Sequence, residues 1–274
     1  MLLIFLFLSF FKVIQYSHSS VNTDVCIYGG TSAGIIAAYT AKKLSKSVIL
    51  IQPGIRIGGL TAGGLGWTDF GEKDSIQGYS RDFYRRIGRY YNQTKEKWTF
   101  EPKIALKVYQ DYLKEVNLTV LYEHKIQLVE KIGTRIDQVL LSDKHKNLIM
   151  VKAKVYIDCT YEGDLMAFSN VSYTIGREGN QKYNESYNGV QLLTKHQFPD
   201  GIDPYKIVGK PESGLLWGIS KGTLQPKGTG DKKIQSYNFR ITLTKDPKIK
   251  INITKPKNYD PSKYDLLLRL IEKG

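Results

Sequence analysis

Apolar and polar positions divide the chain into three stretches of different rhythm. Residues 2–11 are almost wholly apolar, and Lys12 interrupts them. From residue 25 the pattern becomes regular. Val25, Cys26, Ile27 and Tyr28 form a run short enough for one buried strand. A turn of small residues follows, Gly29-Gly30-Thr31-Ser32-Ala33-Gly34. Residues 33–44 carry Ile35, Ile36, Ala38, Tyr39 and Leu44 at helical spacing, and residues 48–51 read as a second buried strand. Helical periodicity returns at 74–91 and at 101–115, where Pro102 occupies a tolerated first-turn position. Short strands are expected at 118–123, 125–130, 136–141, 148–151 and 155–158. Residues 180–230 have little periodicity. Alternation at 236–244 predicts a further strand, and residues 260–273 a terminal helix.

Strand, glycine turn, helix, strand is a βαβ unit suited to a dinucleotide. A helix N-terminus offers unpaired backbone N–H groups and the positive end of its dipole to a pyrophosphate. Gly29 and Gly34 occupy the first and third positions of a G-x-G-x-x-G pattern, with Thr31 at the second. Gln52 ends the second strand where an acidic residue usually holds a ribose hydroxyl; its amide oxygen is expected to accept that bond without charge. A plain tight turn would also account for a lone pattern of this kind. The continuation Gly58-Gly59-Leu60-Thr61-Ala62-Gly63-Gly64-Leu65-Gly66 adds a second glycine-rich loop directly after the second strand. A nicotinamide-only fold does not need it there.

These segments resemble the amino-terminal part of a family of FAD-dependent oxidoreductases, whose first loop is of the GGTxAG type and is followed by GGLTxGGLGxTD. Tyr156-Ile157-Asp158-Cys159-Thr160-Tyr161-Glu162-Gly163-Asp164 resembles that family's second flavin-contacting segment, with Cys159 where a small Ala is usual. Segments 171–179 and 235–244 are also similar to family segments. The resemblance implies an α/β fold: a Rossmann-like parallel sheet binding FAD, an inserted β-meander, and the start of a second, mixed α+β substrate domain. The expected divisions are 1–19, 20–179 and 180–274. It implies non-covalent FAD, with Gly29, Gly30, Thr31, Ser32, Ala33 and Gly34 at the pyrophosphate and Gln52 at the adenosine ribose. Gly58, Gly59, Leu60, Gly63 and Gly64 would run along the phosphates and ring, with Thr160, Gly163 and Asp164 completing the cofactor site. Asp164 has a second reading, as a cap for the helix that follows it. Tyr237, Asn238 and Arg240 are the candidates to meet a small-molecule substrate, and no general base is legible. The family's late return to the first domain has no counterpart before Gly274, so a truncated chain is expected. The alternative is a non-catalytic secreted binding protein on a degenerate flavin fold.

Composition changes this picture little. With 274 residues, 41% of them apolar, the chain is large enough for a substantial core. The net charge of +14 comes from dispersed lysines, which reads as a solvated surface, and no nucleic-acid motif accompanies it. Residues 1–19 read as a secretory signal too short to be a membrane span, with cleavage after Ser19. Five sequons, at Asn92, Asn117, Asn170, Asn184 and Asn252, agree with a secreted glycoprotein. Cys26 and Cys159 are expected to be buried thiols, a bridge between neighbouring strands being the alternative. His124, His145 and His196 fall at strand ends or polar turns, and no metal-binding or Ser/His/Asp spacing appears.

Overall fold

The protein is described from a computed structural model covering residues 19–193, 198–235 and 240–273. All of the predicted signal segment 1–19 except Ser19, together with His196 and the candidates Tyr237 and Asn238, lies outside the described residues. The described residues fall into two compact units. The first runs up to Tyr173 and includes 240–242, and the second comprises those of 174–235 and 243–273.

The first unit is built on one six-stranded sheet. Its strands are β1 (Ser19–Tyr28), β2 (Val48–Gln52), β3 (Val120–Tyr122), β4 (Lys125–Ile132), β5 (Arg135–Ser142) and β6 (Leu148–Asp158). Their order is β3-β2-β1-β6-β5-β4. The β3-β2-β1-β6 part is parallel and β6-β5-β4 antiparallel. Period-two alternation decides what each face buries. Val25 and Ile27 join Leu50 on one face, while Cys26 and Tyr28 join Ile51, Val139 and Val151 on the other.

Two strand expectations change. The strand at 118–123 is not part of the meander; β3 extends the parallel sheet beyond β2. The segments 148–151 and 155–158 are one strand, β6, whose early residues pair with β5 while its whole length pairs with β1. Lys152 and Lys154 interrupt the apolar pattern, but backbone pairing carries the strand on, with β5 and β1 at Lys152 and with β1 alone beyond it. The meander, inserted in sequence between the glycine loops and the second motif, continues the sheet at its β6 edge.

Helices α1 (Ser32–Lys43), α3 (Gly78–Tyr90) and α4 (Pro102–Glu115) cover the first face, and the short α2 (Gly59–Gly63) follows β2. Polar groups lock the three long helices together. Tyr112 donates to Asp82 at 2.6 Å and Tyr39 to Glu115 at 3.1 Å. Arg86 bonds both carboxylates and lies 3.9 Å above the Tyr112 ring. Helix α5 (Asp164–Phe168) follows β6 and buries Leu165 on the second face.

The second unit has a thin core. Among its described residues only Val190 and Leu216 are buried hydrophobics. Polar ties do much of the holding. Arg177 and Asp231 pair through both backbone and side chain. Arg269 of the terminal helix α6 (Asp265–Lys273) donates to the Asp203 and Tyr205 carbonyls at 2.8 and 2.7 Å. The strand expected at 236–244 is absent from its described part. Residues 240–244 carry no strand, and Ile241 and Leu243 are 66% and 72% exposed. Their alternation has no buried face to serve.

Cys26 and Cys159 are both free and belong to cores on opposite faces of the sheet, so the bridged alternative is overturned. Burial pushes the Cys26 thiol up to about 12. No described helix is long and apolar enough to cross a membrane.

Acid should weaken the first unit in a defined window. Hydrogen bonds from Arg81 and Arg85 hold the Glu96 carboxyl at about 2, below its ordinary 4.5. A depressed folded-state value favours folding above 4.5, and that contribution disappears as pH falls towards 2. Thermal melting between pH 6 and 2 is expected to show the loss, and Glu96→Gln is expected to flatten that limb. An unchanged slope in the variant would remove Glu96 from the account.

Candidate functional site

The candidate site forms where the C-terminal ends of β1, β2 and β6 come side by side. Parallel pairing sets Tyr28 opposite both Ile51 and Asp158. The three chains leaving the sheet therefore emerge together, which is where open α/β sheets receive ligands. Gly29 donates its N–H to the Ile51 carbonyl at 2.8 Å, and Cys159 donates to the Tyr28 carbonyl at 2.7 Å.

Gly29 is forced by this crowding. Its φ is +107°, and an added Cβ would stand 2.6 Å from the Cys159 carbonyl carbon and 2.7 Å from the Thr160 nitrogen. Thr31, standing where a second glycine was expected, bridges the loops. Its hydroxyl donates to the Cys159 carbonyl at 2.8 Å and accepts the Gly34 N–H at 3.3 Å, capping α1. The backbone N–H groups of Ser32 and Ala33 in the first turn of α1 have no partner among the described residues.

A cavity of about 430 Å³ opens over this junction. Gly29, Gly30, Thr31, Gln52, Gly59, Thr160 and Asp164 line it, so seven of the sequence-predicted residues meet there. Ser32 and Ala33 line a second cavity of about 390 Å³. Its wall is largely aromatic, from Tyr79, Phe83, Tyr84 and Tyr109, with Thr61 beside them. Burial pushes the Tyr109 hydroxyl up to about 12. Thr31 and Gly59 face the first cavity while Ser32 and Thr61 face the second.

The other predicted residues serve the walls. Gly34 packs beneath Gly29 and the Cys159 side chain. Gly58 donates to the Gly30 carbonyl at 2.8 Å and abuts the Tyr109 ring, linking the two glycine loops. Leu60 donates its N–H to the Tyr161 hydroxyl at 2.7 Å. Gly163 takes a left-handed conformation at the head of α5. Gly63 and Gly64 lie at the far end of α2, away from both cavities; Gly64 lines a shallower one with Trp67 and Ile241. Arg240 is exposed, its Cβ 3.5 Å from where a Gly64 side chain would begin.

One expectation is corrected. Asp164 does not cap the helix after it. Asp158 accepts the Thr160 N–H and hydroxyl through Oδ1 and the Met166 N–H through Oδ2, while the Thr160 hydroxyl accepts the Gly163 and Asp164 N–H groups. Asp164 is left lining the cavity. Burial, then the Glu162 and Asp158 charges, push its carboxyl above the ordinary value. The Gln52 amide oxygen accepts the Gly30 N–H at 2.7 Å and keeps a second lone pair.

Sequence reasoning missed Arg56, Lys125, Tyr161, Glu162 and Tyr109 as wall residues. Tyr161 and Glu162 sit inside the second motif at its open positions, the one signal available. Among the described residues there is no cluster of three or more His, Cys, Asp or Glu side chains suited to a metal.

A family model described as FAD dependent oxidoreductase matches residues 24–273. No curated protein matches the chain. Similar solved structures include a flavoprotein/dehydrogenase from Cytophaga hutchinsonii, at 15% identity over 57% of this chain and 44% of that one, TM-score 0.43. L-proline dehydrogenase from P. horikoshii is similar at 20% identity over 62% of this chain and 27% of that one, TM-score 0.35. AlpK is similar at 12% identity over 66% and 40%, TM-score 0.43. The matched stretch is less than half of each of these chains.

Gly29→Ala is expected to destabilise the first unit by about 3 kcal/mol or more, since both the backbone angle and the space forbid a Cβ. Chemical denaturation checks this against Gly71→Ala, where an added Cβ meets nothing within 4 Å. Equal midpoints for the two variants would contradict the close packing of the loops.

Proposed function

The chain belongs to the FAD-dependent oxidoreductase family, and from that premise we propose that it binds FAD non-covalently and oxidises a small organic substrate. The observation that carries this reading is the meeting of two separate motifs at one sheet edge. Thr31 reaches across to Cys159, and the cavity above both is lined by Gly30, Gln52, Thr160 and Asp164.

The residues present fit the cofactor. Unpartnered Ser32 and Ala33 N–H groups at the positive end of a 12-residue helix suit a pyrophosphate. Gln52, at the end of β2, stands where the adenosine ribose would be held. The aromatic cavity on the other side of Gly59 and Thr61 suits a flat, apolar ring. When bound, FAD supplies the two-electron redox chemistry, accepting a hydride from the substrate. The chain's own groups do the rest. Gly29 and Gly30 let the Cys159–Thr160 peptide and the Gln52 side chain pack against the loop that lines the cavity. Asp158 fixes the 160–166 turn, and the Tyr79, Phe83 and Tyr84 rings give the second cavity an apolar wall. Arg240 remains the described candidate for meeting an anionic or hydroxylated substrate.

The direct test is colour. Purified, desalted protein is expected to retain a flavin absorption spectrum, or to recover one on incubation with FAD. Gln52→Glu is expected to tighten FAD binding several-fold. A carboxylate keeps an acceptor for Gly30 and brings a second oxygen to a ribose hydroxyl. A colourless protein that takes up no FAD would end this reading.

We further propose that the chain follows a secretory route. Its sequon residues Asn92, Asn117, Asn170, Asn184 and Asn252 are all exposed, which supports glycan attachment. Four of them adopt positive φ, and Asn92, Asn117 and Asn170 follow helix ends directly. An Asn is favoured at such positions for its backbone alone. Expression in a secreting eukaryotic cell should give a product whose mass falls on treatment with an N-glycan-removing amidase. An unshifted mass would leave the backbone role as the full explanation.

A further inference from the structure

Thr31 and Gly59 line the first cavity, and Ser32 and Thr61, one and two positions further on, line the second. The strip from Thr31 to Gly59 is therefore the divide between the cavities. It is narrow, for a Cβ on Gly59 would begin 3.3 Å from the Thr31 Cβ. The phenol of Tyr161 lies across it. Its hydroxyl fills the space that a Gly59 Cβ would take and accepts the Leu60 N–H at 2.7 Å. Little else holds this ring. Tyr161 is 56% exposed, and the Leu60 bond is the one hydrogen bond of its side chain among the described residues. The backbone beneath it is fixed. Asp158 accepts the Thr160 N–H, and the Thr160 hydroxyl accepts the Gly163 N–H. An exposed side chain on a fixed backbone moves by turning about its own χ angles. Tyr109, by contrast, is buried and stacks on Phe83 at 4.9 Å.

A dinucleotide that reaches from Gln52 in the first cavity to the aromatic wall of the second crosses Gly59. No side chain at position 59 obstructs that crossing, but the Tyr161 hydroxyl does. The ligand and the phenol cannot both occupy the place. We infer that Tyr161 is a gate on the divide: bonded to Leu60 it shuts the passage between the cavities, and turned outward it opens it. This rests on the nucleotide reading given above. Opening breaks one hydrogen bond and leaves the backbone in place. Its cost therefore lowers the affinity of any ligand that spans both cavities. A ligand confined to the first cavity needs no opening and feels no such cost.

Tyr161→Phe removes the bond and keeps the ring. It also leaves the net charge of +14 unaltered, so general attraction for an anion stays the same. The test measures FAD affinity by flavin fluorescence and AMP affinity by calorimetry, in the wild-type protein and the variant. AMP, with one phosphate, is too short to span both cavities. The variant is expected to bind FAD about fivefold tighter, the net worth of one hydrogen bond, and AMP equally well. A hydroxyl that served the cofactor, or the fold alone, would give weaker or unchanged binding on removal. FAD affinity that is unchanged or weaker in the variant would overturn the gate and leave the nucleotide reading standing. So would an equal gain for AMP. Amide exchange without ligand gives a second readout. Leu60 lies in the first turn of α2, where no intrahelical acceptor serves its N–H, so it is expected to exchange faster in the variant. Equal exchange in the two proteins would overturn the gate. Failure of both FAD and AMP to bind either protein would overturn the inference together with the nucleotide reading.

Discussion

The contact on which the first unit depends is backbone against backbone: Gly29 lying on the Cys159–Thr160 peptide. Two hydrogen-bond ladders meet there. Gly29 is tied to β2 through the Ile51 carbonyl, and Cys159 is tied to β1 through the Tyr28 carbonyl. The Thr31 hydroxyl then closes the gap to the Cys159 carbonyl. Each such bond contributes about 1 kcal/mol net, but their geometry is what matters. Residues 128 positions apart are held within a single hydrogen bond of each other. Any nucleotide cradle at this edge inherits its shape from that approach.

The two aspartates of the second loop show how burial divides labour between similar side chains. Asp158 ends β6 pointing into the turn, and both its oxygens are filled by donors from Thr160 and Met166. Those bonds shape the turn. Asp164 has no such donors and stands near Glu162 in the cavity wall. Its carboxyl is pushed up because burial and like charge both penalise the ionised form. The carboxylate that organises the loop is thus different from the one that faces a ligand.

Much of this was legible in the sequence, and the parts that were not share a cause. The run Val25–Tyr28, the helix after Thr31 and the strand before Pro53 were legible because their signals are local: a short apolar run, a glycine turn, helical spacing. The motif at Asp158–Asp164 was legible by resemblance. The unity of β6 was not, because it comes from continuous pairing with β1, which overrides Lys152 and Lys154 in the pattern. The described part, 240–244, of the strand expected at 236–244 departs in the opposite direction. Its alternation is strong, but Ile241 and Leu243 are exposed with nothing buried behind them. Arg56 and Lys125 reach the cavity from segments with no motif at all. Only the folded arrangement of β2 and β4 brings them there.

Gln52 is the residue where local reading and folded geometry part most sharply. As a sequence position it is an acceptor waiting for a ribose. In the fold its acceptor belongs to Gly30, and so to the shape of the first loop. An acidic residue would serve the loop and the ribose together, through two oxygens and a negative charge. The amide has a single oxygen, which keeps one lone pair beyond the Gly30 bond, and a nitrogen that donates. The geometry offered at the end of β2 therefore follows from a structural obligation one strand away. A change from acid to amide there removes the charge and one acceptor oxygen and adds a donor.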